Sequence, residues 1–195
     1  MRGSSILGGA LKRRSLGSVP EGLHTRPILA RIKKSLFDIL SPRMEGASFL
    51  DLFAGSGSVG LEALSRGAGK VVFVDRDARC ARWIEKSLAG IVRSLPPGGI
   101  GAARVVRADV LSGLGWLNEE FDLIFSGAPY VDESKKPLRF IGDVLNLIDG
   151  RGLLAKGGWF IAQHHFREPA DPPPGWEGFR RERYGESWLT FFRHV

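Results

Sequence analysis

The chain has 195 residues, which suits one domain with a small appendage. With 43% hydrophobic residues it can bury a core unaided, its single cysteine (Cys80) excludes an internal disulfide, and no apolar run approaches the roughly 18 residues of a bilayer span. The 28 Lys and Arg outnumber the 21 Asp and Glu for a net charge of +7, which favours a polyanionic partner, usually nucleic acid. A cytoplasmic monomer with no signal peptide and no membrane association is the expectation.

The charge is unevenly spread. Arg2, Lys12, Arg13, Arg14, Arg26, Arg31, Lys33 and Lys34 face only Glu21 within residues 1–36. Such a single-sign arm suits phosphate contacts, and Lys12, Arg13, Arg14, Arg26, Arg31, Lys33 and Lys34 are its candidate RNA-binding residues. Residues 1–22 are expected to form a basic N-terminal extension, with short strands at 6–9 and 16–19 as a hairpin, ahead of a domain over 23–195. Residues 26–40 predict a helix with Pro27 in its first turn and a stripe of Ile28, Leu29, Ile32, Leu36, Ile39 and Leu40; Pro42 ends it.

From Ser48 onward strands and helices alternate. Residues 49–52 predict a strand, followed by a Gly-rich turn and a helix over 59–66 that stops at Gly67. The β-branched run 70–75 predicts a strand, 78–89 a helix, and 96–99 (Pro-Pro-Gly-Gly) a loop. Strands follow at 103–107 and 121–125, a helix at 138–147, a strand at 159–163 after Gly157-Gly158, and a terminal hairpin at 178–183 and 187–193. This alternation implies an α/β fold: a seven-stranded, mostly parallel sheet covered by helices on both faces, with one antiparallel strand near an edge.

The chemistry concentrates after the first strand, in Asp51-Leu-Phe53-Ala54-Gly55-Ser56-Gly57-Ser-Val-Gly60. The glycines permit a tight turn and close backbone approach to a ligand. Asp51, four positions before Gly55, would repel a pyrophosphate but suits an ammonium reached through water. Asp75 ends the next strand, 20 residues after Gly55, where a carboxylate accepts from ribose hydroxyls. Asp109, after the third strand, can meet an adenine amino group. Three carboxylates match a ligand carrying an amine, a sulfonium, a ribose diol and adenine, namely S-adenosyl-L-methionine. The candidate cofactor set is Asp51, Phe53, Ala54, Gly55, Ser56, Gly57, Gly60, Asp75, Arg76, Asp109 and Val110. Adjacent His164 and His165 face opposite ways on a strand, and without a Cys/His cluster no metal site is expected. Cys80 and the tryptophans Trp83, Trp159 and Trp188 are read as packing residues.

The segment Asp51–Gly57, continued by Gly60-Leu-Glu-Ala-Leu-Ser-Arg-Gly67, closely resembles the RsmD family, which methylates guanine N2 of 16S ribosomal RNA in the small subunit. Ile6-Leu-Gly-Gly with Lys12-Arg13-Arg14, then Arg26-Pro27, Arg31, Leu36-Phe37 and Tyr184-Gly185 extend the likeness over nearly the whole chain. The resemblance implies a class I S-adenosyl-L-methionine methyltransferase fold and a ribosomal RNA or small-subunit partner. It also implies a catalytic loop at Gly127, Ala128, Pro129 and Tyr130. There the chain departs, because the family carries Asp-Pro-Pro followed by Phe or Tyr. In that chemistry the carboxylate and the next carbonyl hold the target amine while the aromatic ring stacks on the flipped base. Ile28, Ala30 and Lys34 replace family Thr, Asp and Glu in the first helix. Two readings stay open at this point, a methyltransferase working with fewer contacts and a non-catalytic relative that binds cofactor and RNA. A third, more distant, is DNA adenine-N6 methylation.

Overall fold

The computed structural model describes residues 5–16, 28–96, 98–131 and 138–195. A first helix, α1 (Ala30–Leu40), precedes two strand–helix units and a third strand: β1 (Ser48–Leu52), α2 (Ser58–Ser65), β2 (Lys70–Asp75), α3 (Ala78–Val92) and β3 (Ala102–Arg107). After them come β4 (Phe121–Ser126), α4 (Ile141–Gly150), β5 (Leu154–His165), β6 (Trp176–Tyr184) and β7 (Ser187–His194). The sheet order is β3-β2-β1-β4-β5-β7-β6. Among the described strands only β7 is antiparallel, slotted between β5 and β6 one place in from the edge. This is the α/β architecture expected from the alternation.

Strand faces explain the layers. Phe49, Val71, Phe73, Leu123, Phe125, Ile161 and Phe191 point to one side, where α1, α2 and α3 bury Ile32, Leu36, Leu61, Leu64 and Ile84. Leu50, Leu52, Val72, Ile124, Phe160 and Phe192 point to the other, against Val144, Leu145 and Ile148 of α4. The period-2 alternation of the strands thus fills two cores at once. Among the described residues no helix is long and apolar enough to cross a membrane.

Three boundaries differ from expectation for identifiable reasons. Helix α4 starts three residues late because the Glu168 carboxylate accepts the N–H groups of Phe140 and Ile141 at 2.7 and 3.0 Å, capping it from a distant loop. Strand β5 begins at Leu154: Gly157-Gly158 is an irregularity inside the strand, where pairing to β4 shifts register between Phe121 and Leu123. Helix α1 begins at Ala30, and Leu29 is 51% exposed rather than part of the buried stripe. Arg26 and Pro27 lie outside the described residues, as do Gly17–Val19 of the expected hairpin. The described part, 5–16, pairs Ser5 with Ser15 in an antiparallel bridge and closes through Ile6 N–H to Arg14 carbonyl, 3.0 Å.

Candidate active site

The chain leaves β1 through three left-handed residues, Phe53 (φ 57°), Gly55 (55°) and Gly57 (72°). Phe53 does so without a glycine's freedom, which stores strain at the turn. Gly60 is required for a different reason. A Cβ there would stand 2.2 Å from the Phe73 ring, so only glycine lets α2 lie directly on β2. Asp51 is 2% exposed and its carboxylate accepts the Gly60 N–H at 2.9 Å, tying the far end of the turn back to β1. Burial pushes its carboxyl up to about 8, against the opposing pull of that N–H. Asp51 therefore shapes the turn from inside.

Asp75 stands at the end of β2. One carboxylate oxygen accepts Gly55 N–H at 2.7 Å and the other Asp77 N–H at 2.9 Å. A carboxylate has about four lone-pair sites, so two remain for a vicinal diol. Asp109 follows β3, one residue beyond Ala108, whose N–H reaches the Asp75 carbonyl at 3.1 Å. Its carboxylate caps a 3-10 turn through Leu111 N–H (3.0 Å) and lies 3.7 Å from the exposed Arg76 guanidinium. Val110, by contrast, turns its side chain into the second core and is 2% exposed, so its side chain is not part of a ligand surface. The residues present fit a ligand with a ribose diol and a purine amine.

The Gly127–Tyr130 loop meets this turn. Gly127 N–H donates to the Leu52 carbonyl at 3.2 Å, and a Cβ on Gly127 would lie 4.0 Å from the Phe53 carbonyl oxygen. Tyr130 is held from both sides: Gln163 donates to its hydroxyl at 2.9 Å, and that hydroxyl lies 3.2 Å from the Ser187 hydroxyl. Phe53 and Phe140 stack at 6.0 Å with their planes 8° apart, linking the Gly-rich turn to the start of α4. Ser126 is buried at the end of β4.

The basic residues divide. Lys12 and Arg13 are exposed, as is Arg31. Lys34 is exposed too and pairs with Asp38 at 2.6 Å. Arg14 donates to the Gly90 carbonyl at 2.8 Å and to Ser94, clamping the arm onto α3. Lys33 is a correction. It is 2% exposed, 3.3 Å from the fully buried Glu62, and donates to the Ser5 carbonyl at 2.8 Å. Burial lowers its pKa against the attraction of Glu62. Glu62 also accepts from Arg66 and from Leu7 N–H, both at 2.8 Å, so this pair fastens the N-terminal arm to α1 and α2. It makes no phosphate surface. Arg66 instead joins Arg31 and Lys34 around a groove of about 350 Å³ beside Leu7.

Cys80 is buried, and desolvation with the Asp75 and Asp77 charges raises its thiol to about 12, so it is no nucleophile at neutral pH. His164 is buried against Thr190 (2.8 Å), and burial lowers it to about 4.

A Gly-rich turn after β1, acidic residues closing β2 and β3, and an aromatic loop after β4 define a Rossmann-like methyltransferase. The family model described as Conserved hypothetical protein 95 matches residues 4–193, and the chain belongs to that RsmD-type family. YlbH of Bacillus subtilis is 35% identical over 193 residues, covering 96% of this chain and 97% of the relative. Ribosomal RNA small subunit methyltransferase D of Escherichia coli K12 is 33% identical over 150 residues, 77% of this chain and 69% of that one. The solved structure of yhhF from Escherichia coli superposes with a TM-score of 0.79 at 26% identity, covering 97% of each chain.

Sequence reasoning missed Phe140, Gln163, Ser187 and Glu168. Glu62 stood inside the quoted motif, but nothing local showed that Lys33, 29 residues earlier, would fold onto it.

Proposed function

We propose that this chain transfers a methyl group from S-adenosyl-L-methionine to guanine N2 of small-subunit ribosomal RNA. The observation carrying this reading is the junction of Gly127 N–H with the Leu52 carbonyl, which sets the aromatic loop against the turn whose neighbours are Asp75 and Asp109. The relatives' name supports the RNA substrate. Asp75 would hold the ribose diol, Asp109 the adenine amine, and the backbone of Gly55–Gly57 the rest of the cofactor. When bound, the cofactor supplies an electrophilic methyl on its sulfonium. Tyr130, fixed by Gln163 and Ser187, stacks on the extruded base. The Ala128 carbonyl accepts one hydrogen of the amine, which orients the nitrogen toward the methyl group. Residues 1–22 act as a basic extension of the catalytic domain 23–195 in the cytoplasm, with Lys12, Arg13, Arg31, Lys34 and Arg66 meeting phosphates.

Gly127 favours a second reading, cofactor and RNA binding without turnover, because it offers no side-chain acceptor. Calorimetry tests the cofactor half. Wild type should bind S-adenosylhomocysteine, and Asp75→Ala should bind about 1–3 kcal/mol more weakly, for want of a charged acceptor. Equal affinities would remove Asp75 from the site.

A further inference from the structure

Beyond Tyr130 the mouth of the site continues in a direction the motif does not cover. His165, the last residue of β5, sets its ring 6.1 Å from Tyr130, edge-on, and 4.6 Å from Phe166. The Arg167 guanidinium lies 5.2 Å over the Phe166 ring. Phe166 is nonetheless 36% exposed. The nearby Arg139 acts electrostatically on the Glu168 carboxyl.

The turn bearing these groups is fixed. Phe166 N–H donates to the Glu186 carbonyl and Glu168 N–H to the His165 carbonyl, both at 2.9 Å, and Arg167 N–H reaches His165 Nδ1 at 3.3 Å. Glu168 then holds the first N–H groups of α4. A fixed, partly exposed aromatic ring stands here beside an imidazole, with a guanidinium over it. This arrangement matches the recognition of an unpaired base, with π-faces for stacking and a cation for the adjoining phosphate. Extruding a base from its stack also leaves its neighbour needing support.

We propose that His165, Phe166 and Arg167 form a stacking platform for an unpaired nucleotide adjoining the base held at Tyr130. The proposal rests on the RNA-methylation reading above and extends it to a single-stranded or locally opened substrate.

The test is fluorescence anisotropy at fixed salt with the full chain, using an unstructured RNA oligonucleotide and a duplex of the same length. Phe166→Ala and Phe166→Leu should each weaken single-strand binding about 5- to 30-fold, with little change for the duplex. Phe166→Trp should retain it. Leucine keeps the apolar bulk, so weaker binding by that variant separates stacking from packing even if the alanine variant unfolds. Arg167→Gln should lower the salt slope of binding. Ala and Leu variants that bind the single strand like wild type, or release both RNAs equally, overturn the platform alone. Wild type that binds neither RNA overturns the platform, while methyl transfer to small subunits tests the proposed function separately.

Discussion

Replacing Gly127 by aspartate asks the loop directly what it lacks. The backbone permits it, since Gly127 is not among the residues at positive φ. A Cβ there would stand 3.1 Å from Phe125 Cε1, 3.8 Å from Cζ and 4.0 Å from the Phe53 carbonyl oxygen. The tight approach is to the edge of a ring that is 2% exposed, which must yield by a few tenths of an ångström. Overpacking of this limited kind costs about 1 kcal/mol of stability. The new carboxylate adds a second acceptor for the guanine amine beside the Ala128 carbonyl. One well-placed hydrogen bond in a transition state is worth about 1.4–2.7 kcal/mol, so methylation should accelerate about 10- to 100-fold. Single-turnover methyl transfer to undermethylated small subunits at saturating cofactor reads this step without product release. A neutral or slower Gly127→Asp, in a protein that still folds and binds cofactor, would show that the loop is not short of an acceptor.

Other consequences follow from the buried charges and the basic arm. Glu62→Gln leaves Lys33 and Arg66 without their counter-charge at sites where Lys33 is 2% exposed, and should cost about 3 kcal/mol in urea denaturation. A cost below about 1 kcal/mol would mean that the pair does not fasten the arm. The Asp51 carboxyl, 3.8 ordinarily and about 8 in the fold, is raised, so its contribution is complete below about pH 4 and is lost as pH rises through about 8. His164, depressed from 6.5 to about 4, acts oppositely, losing its contribution as pH falls through that window. Between pH 6.5 and 8 wild type should therefore lose up to about 2 kcal/mol that Asp51→Asn does not, and parallel stability profiles would count against this. Neutralising exposed Lys12 and Arg13 together should reduce the salt slope of RNA binding by about 0.7–0.9 log unit for each phosphate that is no longer neutralised, whereas an unchanged slope would place the RNA elsewhere.

Local signals carried much of the fold. The apolar runs of β1, β2 and β4 and the glycine punctuation of α2 are short-range features, and they set the parallel half of the sheet. What escaped was fixed at long range. The start of α4 depends on Glu168, 27 residues beyond Ile141. Lys33 read as part of a basic face because its burial depends on Glu62, which arrives only when α2 docks against α1. The candidate cofactor turn and its carboxylates were legible as a cluster because they keep fixed spacings at consecutive strand ends. The acceptor half was legible only at Gly127–Tyr130. Gln163 and His165 come from the end of β5, the strand beside β4, and Ser187 from the start of β7; strand order, which no local pattern encodes, places them beside Tyr130.

The most direct measurement is incubation of the full chain with tritiated S-adenosyl-L-methionine and undermethylated small ribosomal subunits, followed by nucleoside analysis of the RNA. Label is expected in a single nucleoside, N2-methylguanosine, at a rate that falls in Tyr130→Ala because the extruded base has no ring to stack on. Label in a different nucleoside would contradict the guanine-N2 assignment. Unlabelled RNA from a protein that still binds cofactor and RNA would contradict catalysis itself.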